Sequence, residues 1–399
     1  MTGRAARTFP APIKAAHDWM QGIVFTEDLP LIDVSQAAPA DIPPRALRDA
    51  MAQFVLKEKE AHLYGPILGI TRLRSAMAAH CRKVYHTDIN SDHIAITSGC
   101  NQAFCAAITA LANEGDEVIL ATPWYFNHKM WLDMMGIKTK ALLSGADMLP
   151  DPIKASTMIS PKTRAICLVT PNNPAGIAYP DQLLHAFFDL AESHGITLVL
   201  DETYKDFHPT PNFPHSLCLR EDAFNTLIQL FSFSKSYRLT GHRVGAIATA
   251  PKRLREIEKF LDTVSICPSQ VGQYGAYWGL LNLADWLSDQ RNEMTKRRKY
   301  LESKFSDLSD SGWKLLGAGG YFAYVEHPFE EPSEKVAQMM LQEAAILCLP
   351  GTMFAPLELD VAQRQLRIAF ANIGCDQIEI MIQRLHKFSL ALASPATGK

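Results

Sequence analysis

Lys235 sits in Phe231-Ser-Phe-Ser-Lys235-Ser, directly after an apolar stretch at 227–231 and eight positions before Arg243. A second apolar, strand-like stretch follows at 246–250. A lysine between two buried strands meets a low dielectric, which disfavours the ammonium form, lowers the amine pKa and makes it nucleophilic toward a carbonyl. Ser232, Ser234 and Arg243 add hydroxyl donors and a guanidinium fork that suit a phosphate beside that amine. The chemistry that fits is capture of an aldehyde carrying a phosphate, and pyridoxal 5'-phosphate is such a molecule. A lone lysine at a strand end is ordinarily a solvated one, so the reading rests on what else the chain supplies.

The apolar run at 196–200 ends in Asp201-Glu-Thr-Tyr204. A carboxylate at the C-terminal end of a buried strand lies where open α/β sheets bind ligands. Facing a pyridine nitrogen, it would raise that nitrogen's pKa and keep the ring protonated as an electron sink. In a purely structural role it would cap a helix. Tyr204 could donate to the ring's phenolate oxygen. Another apolar run at 165–170 enters Pro171-Asn-Asn173-Pro-Ala-Gly176, a turn by its Pro and Gly content, where Asn173 offers a second donor to that oxygen. Upstream, His93-Ile-Ala-Ile-Thr-Ser98-Gly99-Cys-Asn-Gln-Ala103 predicts a strand passing into a helix that Gly115 stops. The free N–H groups and positive dipole end at its start suit a phosphate. After a strand at 117–121, Thr122-Pro-Trp-Tyr125-Phe-Asn-His128 supplies rings that serve a core unless a ligand ring needs a stacking partner.

In this order and with these gaps, the motifs resemble the class I aminotransferases of the fold type I pyridoxal-phosphate enzymes, with aspartate aminotransferase as the reference. The resemblance implies that Lys235 is the Schiff-base lysine, Asp201 the pyridinium partner, and Tyr204 and Asn173 the donors to the phenolate oxygen. The backbone at Gly99, Cys100 and Asn101, with Ser232 and Arg243, would hold the phosphate. Tyr125 would stack on the ring, and His128 would back Asp201. Tyr64, in Leu63-Tyr-Gly-Pro, resembles the tyrosine that reaches the phosphate from the other subunit of a homodimer. Arg367, in Gln365-Leu-Arg-Ile-Ala-Phe-Ala371, resembles the clamp for the substrate α-carboxylate; by alternation alone it would lie on the exposed face of a strand. The implied activity moves an amino group from an L-amino acid to a 2-oxo acid by a ping-pong mechanism. A lyase, decarboxylase or synthase on the same scaffold shares these motifs, because the pocket selects which bond breaks. A non-catalytic pyridoxal-phosphate sensor is the remaining alternative.

The chain departs from the family pattern at Ser35-Gln-Ala37-Ala-Pro39, where many relatives carry Gly before Pro. Ala37 adds a methyl group where backbone would otherwise approach the substrate carboxylate, and is expected to alter substrate preference. Dicarboxylate-specific relatives use a second arginine from a segment resembling 260–268, and the aligned position here is Leu261. An unpaired carboxylate in a closed site is costly, so neutral, apolar or aromatic substrate side chains are expected, with Trp19 as a wall of their pocket.

A length of 399 residues with 47% apolar composition suffices for two domains and a large core. Alternating strands and helical stretches predict an α/β large domain at 50–288, a mainly parallel sheet with helices on both faces. Residues 289–399 read as an α+β unit. By the resemblance it packs with an N-terminal arm, residues 1–49, into the smaller domain, and the arm's prolines through Pro44 suggest an extended path. A net charge of −3 argues against a nucleic-acid partner, and Lys296-Arg-Arg-Lys299 reads as a solvated helix face. Eight cysteines without CxxC suit reduced thiols in a cytoplasmic protein. No signal-peptide h-region follows Arg7, and no apolar run suits a membrane span. GxGxxG, GxxxxGK, HExxH and GxSxG do not occur, which argues against dehydrogenase, P-loop ATPase, zinc-protease and serine-hydrolase readings; no metal is implied. The Ala/Ser/Pro tail after Leu392 is of low complexity and expected to fray.

Overall fold

A computed structural model describes residues 3–38 and 41–393, so Pro39 and the end of the Ala/Ser/Pro tail lie outside the described residues. In chain order the strands are β1 (Ile32–Asp33), β2 (Ile94–Thr97), β3 (Glu117–Thr122), β4 (Lys138–Leu143), β5 (Thr163–Val169), β6 (Thr197–Asp201) and β7 (Leu227–Ser232). They continue as β8 (Gly245–Ala248), β9 (Lys314–Gly319), β10 (Phe322–Glu326), β11 (Ile346–Leu347), β12 (Leu349–Pro350) and β13 (Gln365–Ile368).

Seven strands form one sheet in the order β2-β8-β7-β6-β5-β3-β4. Six run in one direction, and β8 is antiparallel to both neighbours. Ile119, Ile166, Leu198 and Leu200 face one core, with helices Thr71–Tyr85, Asp181–Ser193 and Gln270–Asn282. Val118, Leu120, Cys167 and Val199 face the other, with helices Cys100–Leu111 and Pro251–Ser265. Because both faces are covered, these strands are near-continuous apolar runs rather than alternating ones. The shared direction also brings the C-terminal ends of β2, β3, β5, β6 and β7, and the start of β8, to one edge.

A second, antiparallel sheet has the order β12-β13-β10-β9. Helices Ala284–Phe305, Ser333–Ala344 and Cys375–Ala393 cover it around Leu301, Val336, Met340, Ile378 and Leu385. β1 pairs in parallel with β11, which carries Ile32 and Val34 into that core. Helix Ala284–Phe305 runs through the expected junction at 288/289, with Leu287 in one core and Leu301 and Phe305 in the other. The arm is not extended throughout. Its Pro12 opens a helix, Pro12–Asp18, where the fixed φ and missing N–H of proline cost nothing, and an Arg7–Glu114 ion pair at 2.6 Å ties the preceding turn down. Among the described residues no helix is long and apolar enough to cross a membrane.

Candidate active site

A cavity of about 420 Å³ opens at the edge where those strands end, lined among others by Ala37, Cys100, Asn101, Tyr125, Asn173, Asp201, Tyr204, Ser232, Lys235, Arg243 and Arg367. Each side chain owes its place to a strand end. Cys100 and Asn101 follow β2, Tyr125 follows β3, Asn173 follows β5, Asp201 ends β6, Lys235 follows β7 and Arg243 precedes β8.

Lys235 is carried by the single helical turn Phe233–Ser236, and the Ser232 hydroxyl accepts from the Ser234 N–H at 3.2 Å where β7 ends. Its Nζ donates to the Ala37 carbonyl. Burial first, then the charges of Arg367 and Arg243, lower its pKa from 10.5 to about 8. Asp201 is buried at the end of β6. Its Oδ1 accepts from the Thr203 N–H at 2.9 Å and the Cys100 thiol at 3.6 Å. His128 Nε2 lies 3.2 Å from Oδ2, off the axis of a linear hydrogen bond, and the His128 ring stacks on Phe104 with centroids 3.8 Å apart. Burial pushes the Asp201 pKa up, but the contacts from His128 and Thr203 outweigh it and hold the group below its ordinary value, as a carboxylate.

Tyr204 is buried against Tyr321 and Phe322, and burial keeps its phenol protonated, with a pKa well above the usual value. The Tyr125 hydroxyl accepts from Asn127 Nδ2 at 2.9 Å and donates to Asn101 Oδ1 at 3.3 Å. Burial, then the Asp201 charge, push its pKa up to about 12.

Gly99 has φ +86° and precedes helix Cys100–Leu111, leaving that helix's first N–H groups open toward Arg243. A Cβ at Gly99 would lie 2.9 Å from Arg243 Cζ, and one at Gly245 would lie 2.6 Å from the Gly99 carbonyl carbon and 2.7 Å from the Cys100 nitrogen. The two glycines let helix start and guanidinium close into one anion site. Arg243 Nη1 donates to the Ser234 hydroxyl at 3.3 Å and the Thr240 carbonyl at 3.1 Å.

Arg367 is almost fully buried. Its Nη1 donates to Asn173 Oδ1 at 2.9 Å and its Nη2 to the Ser35 carbonyl, while its Cζ lies 4.8 Å and 4.9 Å from the ring centres of Phe322 and Phe354. Among the described residues no carboxylate pairs with it, and its Nε–H has no partner. Burial lowers its pKa to about 10. A buried guanidinium without an anion is unfavourable, and a ligand carboxylate supplies the missing charge. Three cations, Lys235, Arg243 and Arg367, thus face one carboxylate, Asp201, across the cavity. That donor set fits pyridoxal phosphate together with an amino acid: a phosphate for Arg243 and the helix start, an aldehyde for Lys235 and a carboxylate for Arg367.

The expected residues do not all meet. Tyr64 stands away from this cavity, 81% exposed. Trp19 does not line it; the Trp19 ring packs against the C-terminal core while Ile13, near the start of the preceding helix, faces the cavity. Leu261 is buried in the core beneath helix Pro251–Ser265, so the alignment that brought it to the substrate is wrong: its helix turns that side chain toward the sheet. Sequence reasoning passes over Ile13, Gln36, Phe126, Asn127, Thr203 and Phe322 as lining residues. Phe126, Asn127 and Thr203 lie inside motifs it identified. Ile13 carries no local signal, since only the folding back of the arm brings it there.

The family model of aminotransferase class I and II matches residues 30–385. The chain belongs to that family. This aminotransferase is 25% identical to an aromatic aminotransferase of Arabidopsis thaliana over 336 residues, 81% of each chain. It is 27% identical to the methionine aminotransferase of Escherichia coli, over 81% of this chain and 84% of that one. Its fold matches that of aspartate aminotransferase from Thermus thermophilus, solved with maleate, at a TM-score of 0.86 and 22% identity, covering 97% of this chain and 100% of the other. The fold is therefore the aspartate aminotransferase-like fold type I, and the protein is a pyridoxal-phosphate-dependent aminotransferase acting on amino and 2-oxo acids.

Proposed function

We propose that this aminotransferase takes L-amino acids with neutral, apolar or aromatic side chains and works as a cytoplasmic homodimer with shared sites. The observation that carries the substrate reading is the set of cations in the cavity. Among the described residues lining it they are Lys235, Arg243 and Arg367, and each has a task. Beside Arg367, Ile13 and Phe126 belong to one apolar cluster with Phe354, a surface for an uncharged side chain. A second carboxylate would sit there without a partner. The names of relatives span aromatic, methionine and aspartate aminotransferases, so kinship alone does not choose among them. A panel of amino donors with 2-oxoglutarate and pyruvate tests the reading: phenylalanine, tyrosine, leucine or methionine should exceed aspartate in kcat/KM, and a strong preference for aspartate would refute it.

In the proposed mechanism Arg367 holds the substrate α-carboxylate. Its bond to Asn173 Oδ1 turns the Asn173 amide N–H₂ away as a donor, and with the Tyr204 hydroxyl it serves the cofactor's phenolate oxygen. Asp201, kept ionised by Thr203 and His128, would hold a proton on the ring nitrogen. Arg243, Ser232 and the N–H groups at residues 99–101 would hold the phosphate, and Tyr125 would face the ring. Bound pyridoxal phosphate supplies an electron sink for the charge left on the substrate α-carbon. Lys235 Nζ, uncharged above about pH 8, would serve as the base that takes the substrate α-proton and then as the acid that gives it back. The amino group would stay on the bound cofactor after the first 2-oxo acid leaves with an oxygen supplied by water, and would pass to the second 2-oxo acid, hence ping-pong kinetics.

Two observations support the dimer. Leu63 and Tyr64 are exposed, and the next residue bonds through its N–H to Cys267 Sγ at 3.4 Å. That bond places them beside Ile266, which is 44% exposed and at φ +61°, an unfavourable conformation for a β-branched residue. An apolar, strained surface patch of this kind suits a second copy of the chain, whose cavity Tyr64 would enter. All eight cysteines are free, in keeping with a reducing compartment.

A further inference from the structure

Lys235 rides on a helix of four residues, too short to hold itself, since a single turn fixes many dihedrals for one hydrogen bond. Its position therefore depends on outside contacts. Ser234 and the Lys235 carbonyl take bonds of 3.3 Å from Arg243 and 3.4 Å from the Tyr321 hydroxyl. From the opposite side, the Ser236 hydroxyl donates to Asp206 Oδ2. A hydroxyl–carboxylate bond is charge-assisted and stronger than the neutral contact from Tyr321.

Asp206 is itself fixed. Its Oδ1 accepts from Lys205 Nζ at 2.8 Å, and the same ammonium donates to His80 Nε2 at 2.8 Å. His80 belongs to helix Thr71–Tyr85, whose Leu73, Met77 and Cys81 are packed in the core of the large sheet. Burial and the Lys205 charge keep His80 neutral, so its Nε2 is free to accept. Burial opposes the Asp206 charge, but Lys205 overrides it and holds the group as a carboxylate. A chain of polar contacts thus runs from a rigid helix through His80, Lys205, Asp206 and Ser236 to the turn that bears the amine. None of these four residues lines the cavity. A buried ion pair adds little net stability, because desolvation cancels most of the attraction, but it fixes geometry. The turn containing Asp206 also follows directly on Tyr204.

We propose that Asp206, acting through the Ser236 hydroxyl, is a positioning residue that aims the Lys235 amine at the cofactor aldehyde. The inference rests on the reading of Lys235 given above. In the step concerned, the neutral amine adds to the aldehyde carbon and a C=N bond forms. The aldehyde oxygen leaves as water with the two amine protons. Only a correctly placed Nζ does this quickly; binding of phosphate and ring does not require it.

Apoenzyme mixed with pyridoxal 5'-phosphate, followed by absorbance, reads the covalent step. Pyridoxamine 5'-phosphate, which has no aldehyde, reads binding without that step. Ser236→Ala and Asp206→Asn should slow covalent capture by about tenfold and leave the pyridoxamine 5'-phosphate Kd unchanged, and Ser236→Thr should restore the rate. Asp206→Asn strands a buried Lys205 and risks misfolding; Ser236→Ala removes one hydroxyl and carries the test in that event. Wild-type capture in Ser236→Ala overturns the proposal, as does a proportional loss for both ligands, which marks a general structural role. Borohydride reduction of the wild type separates the underlying reading: cofactor fixed to a lysine other than Lys235, or to none, overturns the assignment of Lys235 itself.

Discussion

In the folded apoprotein Lys235 loses its proton near pH 8, whereas an unfolded chain keeps it to about pH 10.5. Two consequences follow with opposite readouts. Covalent capture of pyridoxal 5'-phosphate should rise roughly tenfold per pH unit below about pH 8 and then level off, because only the neutral amine reacts; stopped-flow absorbance across that range checks it. Between the two pKa values the unfolded state binds more protons, so this group's contribution to stability rises with pH. Apoprotein Lys235→Met should gain most in Tm over wild type below pH 8, and that advantage should shrink toward pH 10.5. For Arg367→Gln, loss of a buried, charge-paired carboxylate contact should lower kcat/KM by about a hundredfold or more while cofactor affinity changes far less, as steady-state kinetics and cofactor titration will tell. Lys235, Asp201, Asn173 and Arg243 were legible in the chain because each adjoins a strand whose apolar run marks its end. The burial of Arg367 was not: β13 is closed over by Phe322, Phe354 and the Ser35 carbonyl, partners that no local pattern announces.

Where strand meets helix, Gly245 and Gly99 permit the approach that makes an anion site of Arg243 and the start of helix Cys100–Leu111. Gly245→Ala puts a methyl group 2.7 Å from the Cys100 nitrogen, against backbone that has no free side-chain end to give way. It should weaken cofactor binding by at least about tenfold and lower Tm, measured by titration of the apoprotein and by thermal melts; an unchanged affinity would mean that the two segments can part without loss. Strands β2, β3, β5, β6, β7 and β8 were readable to within a residue or two, because burial on both faces leaves near-continuous apolar runs, whereas the partly exposed edge strand β4 was not. Helix Pro12–Asp18 was not, since its proline resembles the arm's other prolines until its place at the first helical position is seen. Leu261 shows the complementary failure: an alignment without three-dimensional context assigned to a pocket a residue that its helix turns inward.

For the molecule as a whole, Tyr64 and Ile266 make the sharing of sites testable. Inactive Lys235→Ala mixed with a Tyr64→Ala variant should yield hybrid dimers in which one site has both groups intact, with partial recovery of activity; no recovery despite demonstrated subunit exchange would count against it. The large sheet was foreseeable from the alternation of strands and helices, but the route of the arm was not, because its pairing partners lie near the other end of the chain. That route bears on how the protein is made. β1 has its partner in β11, and the Ser35 carbonyl has its own in Arg367. With elongation at about 5–20 residues per second, roughly 15–60 s separate the synthesis of Ile32 from that of Ile346. During that interval the large sheet can form with the cleft's edge still uncovered and a bare apolar segment at 31–34 emerging from the ribosome long before its neighbours exist. The arm's segment around β1, though made early, thus docks late, and the surroundings of Arg367 become complete only when translation is nearly over.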